Sequence, residues 1–157
     1  MDFVSRITRL PRAHDPEQGA EARALFSGLP APLAELVEGA AGCSPYLKSL
    51  AEAERDWLPE ALEAPEAALE ALHDSLRVCP LEALPGALRQ GKRRVALMIG
   101  LADLAGVWPL EEVTGRLTGF ADLACDLAMK ACVGAEIRRG KLPGKTADDL
   151  EQAGGMV

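Results

Sequence analysis

The sequence predicts an all-α protein: a multi-helix bundle with short proline and glycine links and one long C-terminal helix over about residues 109–139. The composition favours helices, because alanine and leucine dominate an apolar content of 48% whereas aromatic residues make up only 4%. The 11 prolines and 15 glycines divide the chain into short segments. Within those segments apolar residues recur at helical spacing, and none alternates convincingly with the period of a strand.

The first three predicted helices follow from capping patterns. Asp15 is a suitable N-cap for a helix over residues 16–26, with Pro16 at its first position and Gln18 placed to close a capping box. Pro32 can begin a second helix that Gly42 ends. The pair 44–45 (Ser-Pro) has the same pattern of N-cap followed by proline and predicts the start of a third helix. The residues expected to face inward are Leu33, Leu36, Val37 and Ala40 in the second helix, and Leu47, Leu50 and Ala51 in the third.

The middle of the chain is acidic. Residues 52–74 carry eight acidic side chains against one basic residue, Arg55, and we interpret them as a solvated helix face rather than an interaction patch. Pro65 begins a helix that closes at residues 79–80 (Cys-Pro), and its shared face carries Leu69, Leu72 and Leu76. A further leucine run, Leu81, Leu84 and Leu88, is expected to break at Gly91.

The second half contains the expected core helix. Residues 95–104 are apolar nearly all round, which predicts a central helix buried on most sides. Asp103 interrupts that run, so we expect it to be buried with a basic partner. The long helix after Trp108 carries two heptad rows, Leu110, Leu117, Ala124 and Ala131 in one and Val113, Phe120, Leu127 and Gly134 in the other, which together predict a packed helical seam.

The C-terminal end carries a last set of expectations. Thr146 can cap a short helix through Gln152. After Gly154 and Gly155, the apolar pair 156–157 (Met-Val) looks like the start of a buried strand, so we expect a longer polypeptide with this chain as its N-terminal helical domain, residues 1–157.

Charge and hydropathy limit the partners and the compartment. Residues 1–91 hold 8 basic and 15 acidic side chains, and residues 92–157 hold 9 of each, for a net charge of −7. The acidic first half repels phosphate backbones, so we expect neither nucleic acid nor a membrane as partner. There is no signal-peptide pattern, and the longest apolar run falls short of the ~20 residues of a bilayer span. We therefore expect a cytoplasmic protein whose Cys43, Cys79, Cys125 and Cys132 are reduced thiols packed as small core groups.

Two candidate ligand sites are weak. Residues 140–146 (GKLPGKT) end like a phosphate-binding loop, but they have three rather than four residues between the glycines and follow a helix instead of a strand, which favours a helix-terminating linker. A metal site would need convergent ligands, for which Cys125, Cys132 and the only histidines, His14 and His73, are the candidates. No close pair such as Cys-x-x-Cys exists, so core packing is favoured.

The charged clusters have structural interpretations. The adjacent acids at 111–112 and 148–149 point about 100° apart on a helix and suit the positive end of the helix dipole. Lys92, Arg93 and Arg94 could bind a phosphate or an acidic partner, but surface solubility or pairing with the acidic first half is favoured. The sequence therefore predicts no catalytic residue, no cofactor-binding residue and no metal ligand in this chain.

Several stretches, in order, resemble one family, the bacterial bifunctional glutamine synthetase adenylyltransferase that also acts as adenylyl-removing enzyme. They are Gly42-Cys43-Ser44-Pro45-Tyr46-Leu47, the basic stretch 89–94, Asp103-Leu104-Ala105-Gly106, Leu110-Glu111-Glu112 and Phe120-Ala121-Asp122. The similarity covers most of the chain, and it depends on the order and spacing of these motifs more than on any one of them.

The resemblance implies a role in a larger enzyme. Residues 156–157 would begin the first strand of a nucleotidyltransferase domain, whose Gly-rich turn and paired aspartates would hold Mg²⁺ and ATP beyond this chain. Such an enzyme controls nitrogen assimilation by attaching AMP to a tyrosine of glutamine synthetase and removing it by phosphorolysis, under PII signal proteins. The fragment itself would be inactive, and its helices would pack beside the first catalytic domain.

Two alternatives remain open from the residues alone. The acidic first half and the lack of a site fit a free-standing helical protein-interaction module. A small metal- or thiol-dependent helical enzyme is the third possibility, and it depends on Cys125 and Cys132.

Overall fold

The computed structural model describes residues 3–155, which form seven α-helices and no strand. The helices are α1 (Pro16–Leu25), α2 (Ala31–Cys43), α3 (Pro45–Ala53), α4 (Leu58–Glu63), α5 (Pro65–Arg77), α6 (Leu84–Leu104) and α7 (Leu110–Arg138). Short 3₁₀ helices lie at the two ends, Val4–Arg6 and Ala147–Gly155. The predicted all-α bundle with a long C-terminal helix is confirmed.

The cap of α1 also ties α1 to α2. The Asp15 carboxylate accepts hydrogen bonds from the backbone N–H groups of Gln18 and Glu17, each at 3.1 Å, and the bond from Gln18 is the main reason that the pKa of Asp15 is lowered. The Gln18 side chain donates to that carboxylate at 2.8 Å, not to the Asp15 backbone as in a capping box. The Asp15 N–H instead donates to the Gly42 carbonyl at 2.9 Å.

The helices α2 and α3 bury the residues expected of them, except that Leu47 is only partly buried. Gly42 does not end α2, which continues to Cys43. A Cβ at Gly42 would lie 2.5 Å from the Ala13 side chain, so this glycine permits a close approach of the N-terminal segment rather than a helix stop. Ser44 then caps α3 by accepting from the Leu47 N–H at 3.2 Å.

The helix α4 was not predicted. It has only six residues, and it buries Leu58, Ala61 and Leu62 against the core. The acidic stretch around it is mostly solvated, as expected, but Glu54 contradicts that interpretation because its side chain is buried.

The predicted break at Gly91 is wrong, because α6 runs through this residue without interruption. Gly91 is buried, and a Cβ there would lie 3.2 Å from the side chains of both Leu76 in α5 and Phe120 in α7. A residue without a side chain lets these helices approach α6. The second half of α6 is the predicted central helix: it buries Val95, Leu97, Met98, Ile99, Leu101 and Ala102, and α6 contacts α2, α3, α4, α5 and α7.

Only one of the two heptad rows of α7 faces the core along the whole helix. Val113, Phe120 and Gly134 are buried, and Leu127 packs partly against the core. In the other row Ala124 also packs partly against the core, but Leu110 is 70% exposed and Leu117 is 44% exposed. The two-row seam is therefore wrong for the first half of α7, where no other described helix covers Leu110 and Leu117.

Asp103 is exposed, which corrects the expectation of burial. It lies near the end of α6, where its carboxylate is 3.7 Å from the Arg9 guanidinium. Arg9 also donates to the Asp103 backbone carbonyl at 2.7 Å. The basic partner expected for Asp103 is thus present, but at the surface, where it fastens the N-terminal segment to the end of α6.

The C-terminal 3₁₀ helix covers part of α7. The Asp149 carboxylate accepts from the Thr146 N–H at 2.8 Å, which lowers the pKa of Asp149. The Lys130 ammonium in α7 lies 3.1 Å from both Asp126 and Glu151 and links the two helices. The predicted short helix is present in 3₁₀ form, and the expected strand at 156–157 lies outside the described residues.

The close approach of the N-terminal segment to α2 at Gly39 generates a stability prediction. A Cβ at this position in α2 would lie 1.9 Å from the Pro11 carbonyl oxygen, so Gly39→Ala should lower the free energy of unfolding by about 1–3 kcal/mol. Gly119→Ala in α7 is the matched control, since nothing lies within 4 Å there. Its better helix propensity should raise the same quantity by up to about 1 kcal/mol. Urea unfolding measures both, and equal effects would contradict the packing described here.

Candidate functional site: the Glu54 cluster and the adjoining groove

A buried carboxylate lies where α3 ends. The Glu54 side chain is 1% exposed, and its two oxygens accept one hydrogen bond each, from Arg93 Nε and Arg94 Nε, both at 2.8 Å. Two charged donors offset the cost of taking this carboxylate out of water. The favoured interpretation of the basic triplet, pairing with the acidic first half, is confirmed for these two arginines.

The neighbouring side chain extends the cluster to α4. The Arg94 guanidinium lies over the Trp57 ring, 5.0 Å from its centroid, in cation–π geometry. Trp57 immediately precedes α4 and packs partly buried against the core. The Glu54 cluster, which we define as Glu54, Trp57, Arg93 and Arg94, therefore joins α3, α4 and α6.

A groove of about 550 Å³ opens beside this cluster. Trp57 and Arg94 form one side, and Glu60 and Glu63 stand among the other lining residues. Its remaining lining is mostly small and apolar: Ala61, Ala64, Ala67, Ala68, Ala71, Leu72 and Ser75. Such a groove can receive an apolar group between charged side chains, but it offers no nucleophile paired with a base.

Two basic residues of the triplet region remain available at the surface. Arg89 and Lys92 are exposed and form no ion pair within the part of the chain that the structure describes. They lie three residues apart on α6, and Arg93 follows on the same side of the helix. The result is an exposed basic face, which we define as Arg89 and Lys92, on a protein of net charge −7.

The predicted packing of the cysteines is wrong. Cys43, Cys125 and Cys132 are exposed and Cys79 is half-buried, and none of the four forms a disulfide. The thiol of Cys43 donates to the Arg12 carbonyl at 3.0 Å. Cys125 and Cys132 occupy the side of α7 that no described helix covers, which their heptad spacing alone did not reveal.

The two histidines are not brought together with those thiols. His14 is exposed near the start of α1, whereas His73 in α5 lies with its ring centroid 6.1 Å from that of Phe120. Burial lowers the pKa of His73. Among residues 3–155 the structure contains no group of three or more His, Cys, Asp or Glu side chains arranged to hold a metal ion.

The glycine-rich segment 140–146 and the acidic pair 111–112 have the structural roles that the sequence predicts for them. Residues 140–146 form a turn-rich linker after α7, with φ of 69° at Gly140 and 76° at Gly144. Glu111 and Glu112 are in the first turn of α7, as expected for the positive end of the helix dipole. Glu112 also pairs with Arg116 at 2.7 Å.

Sequence reasoning missed a second charged cluster that holds the N-terminus. The Glu66 carboxylate in α5 accepts from Arg6 at 2.6 Å and from Trp108 Nε1 at 2.9 Å. The bond from Arg6 is the main reason that the pKa of Glu66 is lowered to about 2. Arg116 lies over the Trp108 ring at 4.3 Å. The one available signal was Trp108 itself, since a buried indole N–H needs an acceptor.

Among the described residues these features define a helical bundle in which many charged side chains pair with one another. None of its helices, over the residues the structure describes, is long and apolar enough to cross a membrane.

The comparisons with known proteins identify the family. The chain belongs to the glutamate-ammonia ligase adenylyltransferase family, whose profile matches residues 34–156. A bifunctional glutamine synthetase adenylyltransferase/adenylyl-removing enzyme of Bradyrhizobium sp. (strain BTAi1 / ATCC BAA-1182) is 36% identical over 149 residues, which cover 90% of this chain and 15% of that enzyme. The protein of the same name in Rhodopseudomonas palustris (strain BisB5) is 30% identical over 177 residues, 99% of this chain and 18% of the relative.

The chain therefore spans less than a fifth of the length of these relatives. A third relative with that name, from Caulobacter vibrioides, is 36% identical over 104 residues, 63% of this chain. No solved structure gives a significant match to the chain. The family resemblance seen in the ordered motifs is confirmed.

Removing one arginine from the Glu54 cluster should be costly. Arg94→Met leaves the buried carboxylate with one donor, so we expect the free energy of unfolding to fall by about 3 kcal/mol or more. The matched control is Arg77→Met, which removes an exposed pair with Asp74 and should cost at most about 1 kcal/mol. Chemical denaturation measures both, and similar losses would show that Glu54 does not depend on Arg94.

The lowered pKa of Glu66 predicts a pH-dependent contribution to stability. Because the folded pKa is about 2 and the ordinary value is 4.5, the contribution is fully present above pH 4.5 and is lost as the pH falls toward about 2. The difference in unfolding free energy between the protein and Glu66→Gln should therefore be largest near neutrality and shrink through this window. Exposed Glu70, one turn later in α5, gives the control Glu70→Gln, which removes an acidic side chain from the same helix without breaking a described ion pair. A Glu66→Gln difference that does not change with pH would contradict the assignment.

Proposed function

We propose that residues 1–157 form the N-terminal helical domain of a longer enzyme that attaches AMP to glutamine synthetase and removes it again. The observation that carries this proposal is the family match over residues 34–156, together with relatives bearing that enzyme name across 90–99% of this chain. On this proposal the protein takes part in the control of nitrogen assimilation in the cytoplasm. Its cofactors are ATP and Mg²⁺, and they are held outside this chain.

The helical domain has a supporting role in this proposal. The charged groups of the Glu54 cluster are already engaged with one another at 2.8 Å, which suits a rigid scaffold better than a reacting centre. We propose that the domain packs beside the first catalytic domain and shapes access of glutamine synthetase to it. PII signal proteins are the proposed regulators, and the tyrosine of glutamine synthetase is the proposed acceptor of AMP.

The test compares the native gene product with the 157-residue chain. Each is incubated with glutamine synthetase, ATP and Mg²⁺, and AMP attachment is followed by the mass of the glutamine synthetase subunit. Removal is followed by adding inorganic phosphate to adenylylated glutamine synthetase. We expect both reactions with the native product and neither with the 157-residue chain.

The alternative is a free-standing acidic helical interaction module. It predicts a native product of 157 residues and no AMP transfer by that product. A native protein that leaves glutamine synthetase unmodified under these conditions would remove the basis of the proposed function.

The exposed basic face is the proposed contact with glutamine synthetase or another acidic surface. Arg89→Gln with Lys92→Gln removes two charges that stabilise no described ion pair, so folding should be unaffected while KM for glutamine synthetase rises several-fold at low salt and kcat is retained. The effect should fade as salt rises. Arg77→Gln is the control, because it removes a basic residue from α5 instead. An unchanged KM, with no cross-link between residues 89–94 and glutamine synthetase, would place the contact elsewhere.

A further inference from the structure

One side of α7 is exposed and uncharged along most of the helix. Six exposed residues follow one another at spacings of three, four or seven: Leu110, Leu117, Ala121, Cys125, Ala128 and Cys132. At about 100° per residue they lie within roughly a quarter turn of one another. Leu110 and Cys132 are 22 positions apart, which makes the surface about 33 Å long at 1.5 Å per residue. We call these six residues the α7 outer face.

This surface is distinct from the other two sides of α7. The core side carries Val113 and Phe120, and a second exposed side carries Asp122 and Asp126. Between Leu110 and Cys132, no charged residue projects within this quarter turn, although 26% of the chain is charged. Leu110, in the first turn, is 70% exposed. Covering such a large apolar side chain lowers the free energy, so the first turn belongs to a surface that favours a partner.

The part of α7 that is already covered lies on other sides of the helix. Val133 is buried, and the Leu150 side chain of the C-terminal 3₁₀ helix lies 3.1 Å from where a Cβ of Gly134 would be, but at about 100° per residue both positions fall outside the quarter turn of the outer face. The C-terminal 3₁₀ helix thus packs on α7 and leaves the outer face uncovered. More than four-fifths of the length of the matched relatives lies outside the region that this chain covers.

We propose that the α7 outer face is the surface on which the rest of the longer enzyme packs, through an apolar helix. This inference rests on the proposed function, because it requires that longer polypeptide. The small side chains of Ala121, Cys125, Ala128 and Cys132 leave a shallow strip between larger neighbours, so a helix can approach to the usual 8–10 Å between axes. Leu110 and Leu117 extend the contact toward the start of α7.

The native thiols provide the measurement. Cys125 and Cys132 belong to the outer face, whereas Cys43 and Cys79 lie elsewhere. The rate of alkylation of each thiol by N-ethylmaleimide is compared, by peptide mass spectrometry, between the 157-residue protein and the native gene product. We expect Cys125 and Cys132 to react at least about tenfold more slowly in the native product, because coverage blocks access, while Cys43 and Cys79 keep their rates.

A matched variant separates coverage of this face from general protection of α7. Gly119→Cys puts a thiol on the charged exposed side of the same helix, where nothing lies within 4 Å. Its reactivity should be the same in the short and long proteins. Leu117→Asp in the native product should restore rapid alkylation of Cys125 while leaving the 157-residue protein folded, because Leu117 is already exposed there.

The outcomes separate this inference from the proposed function. If the native product adenylylates glutamine synthetase but Cys125 and Cys132 react as fast as in the short chain, the inference is wrong and the proposed function stands. Protection in the short protein that grows with its own concentration would identify a second copy as the occupant and overturn the inference. A native mass equal to that of the 157-residue chain would overturn both.

Discussion

The buried carboxylate of Glu54 is the interaction on which the arrangement of the helices depends. A charged side chain that is 1% exposed is tolerated only when it is paired, and Arg93 and Arg94 approach it from two directions on α6. Because each oxygen takes one arginine, the rotation and the position of α6 relative to the end of α3 are both constrained. Trp57 under Arg94 brings α4 into the same arrangement.

The position of α6 determines how the remaining helices pack. The apolar second half of α6, residues 95–104, lies among the other helices, and buried Gly91 allows α5 and α7 to approach α6 closely. Charged side chains near the core pair with one another, and one side of α7 is exposed and uncharged. The chain belongs to the glutamate-ammonia ligase adenylyltransferase family and matches a region that makes up less than a fifth of the length of its relatives.

Local sequence patterns predicted the features that depend on neighbouring residues alone, namely helix caps and the face that a helix buries. Asp15 and Ser44 cap the expected helices, and the leucine spacing of α5 identified its buried face correctly. Spacing shows which residues share a face, but not whether a partner covers that face, so the sequence predicts a buried position for Leu110, Leu117, Cys125 and Cys132, which are exposed. A glycine in a helix is equally ambiguous, because Gly91 marks a close approach and not a break. Glu54 gave no signal, since its partners are 39 and 40 residues away.

Amide hydrogen exchange of the 157-residue protein tests most directly whether Glu54 organises the bundle. If it does, the amides of residues 97–101 exchange most slowly, and Glu54→Gln accelerates exchange in α3, α4 and α6 together. Acceleration confined to the last turn of α3, with exchange in α6 unchanged, would show that the helices keep their arrangement without this carboxylate.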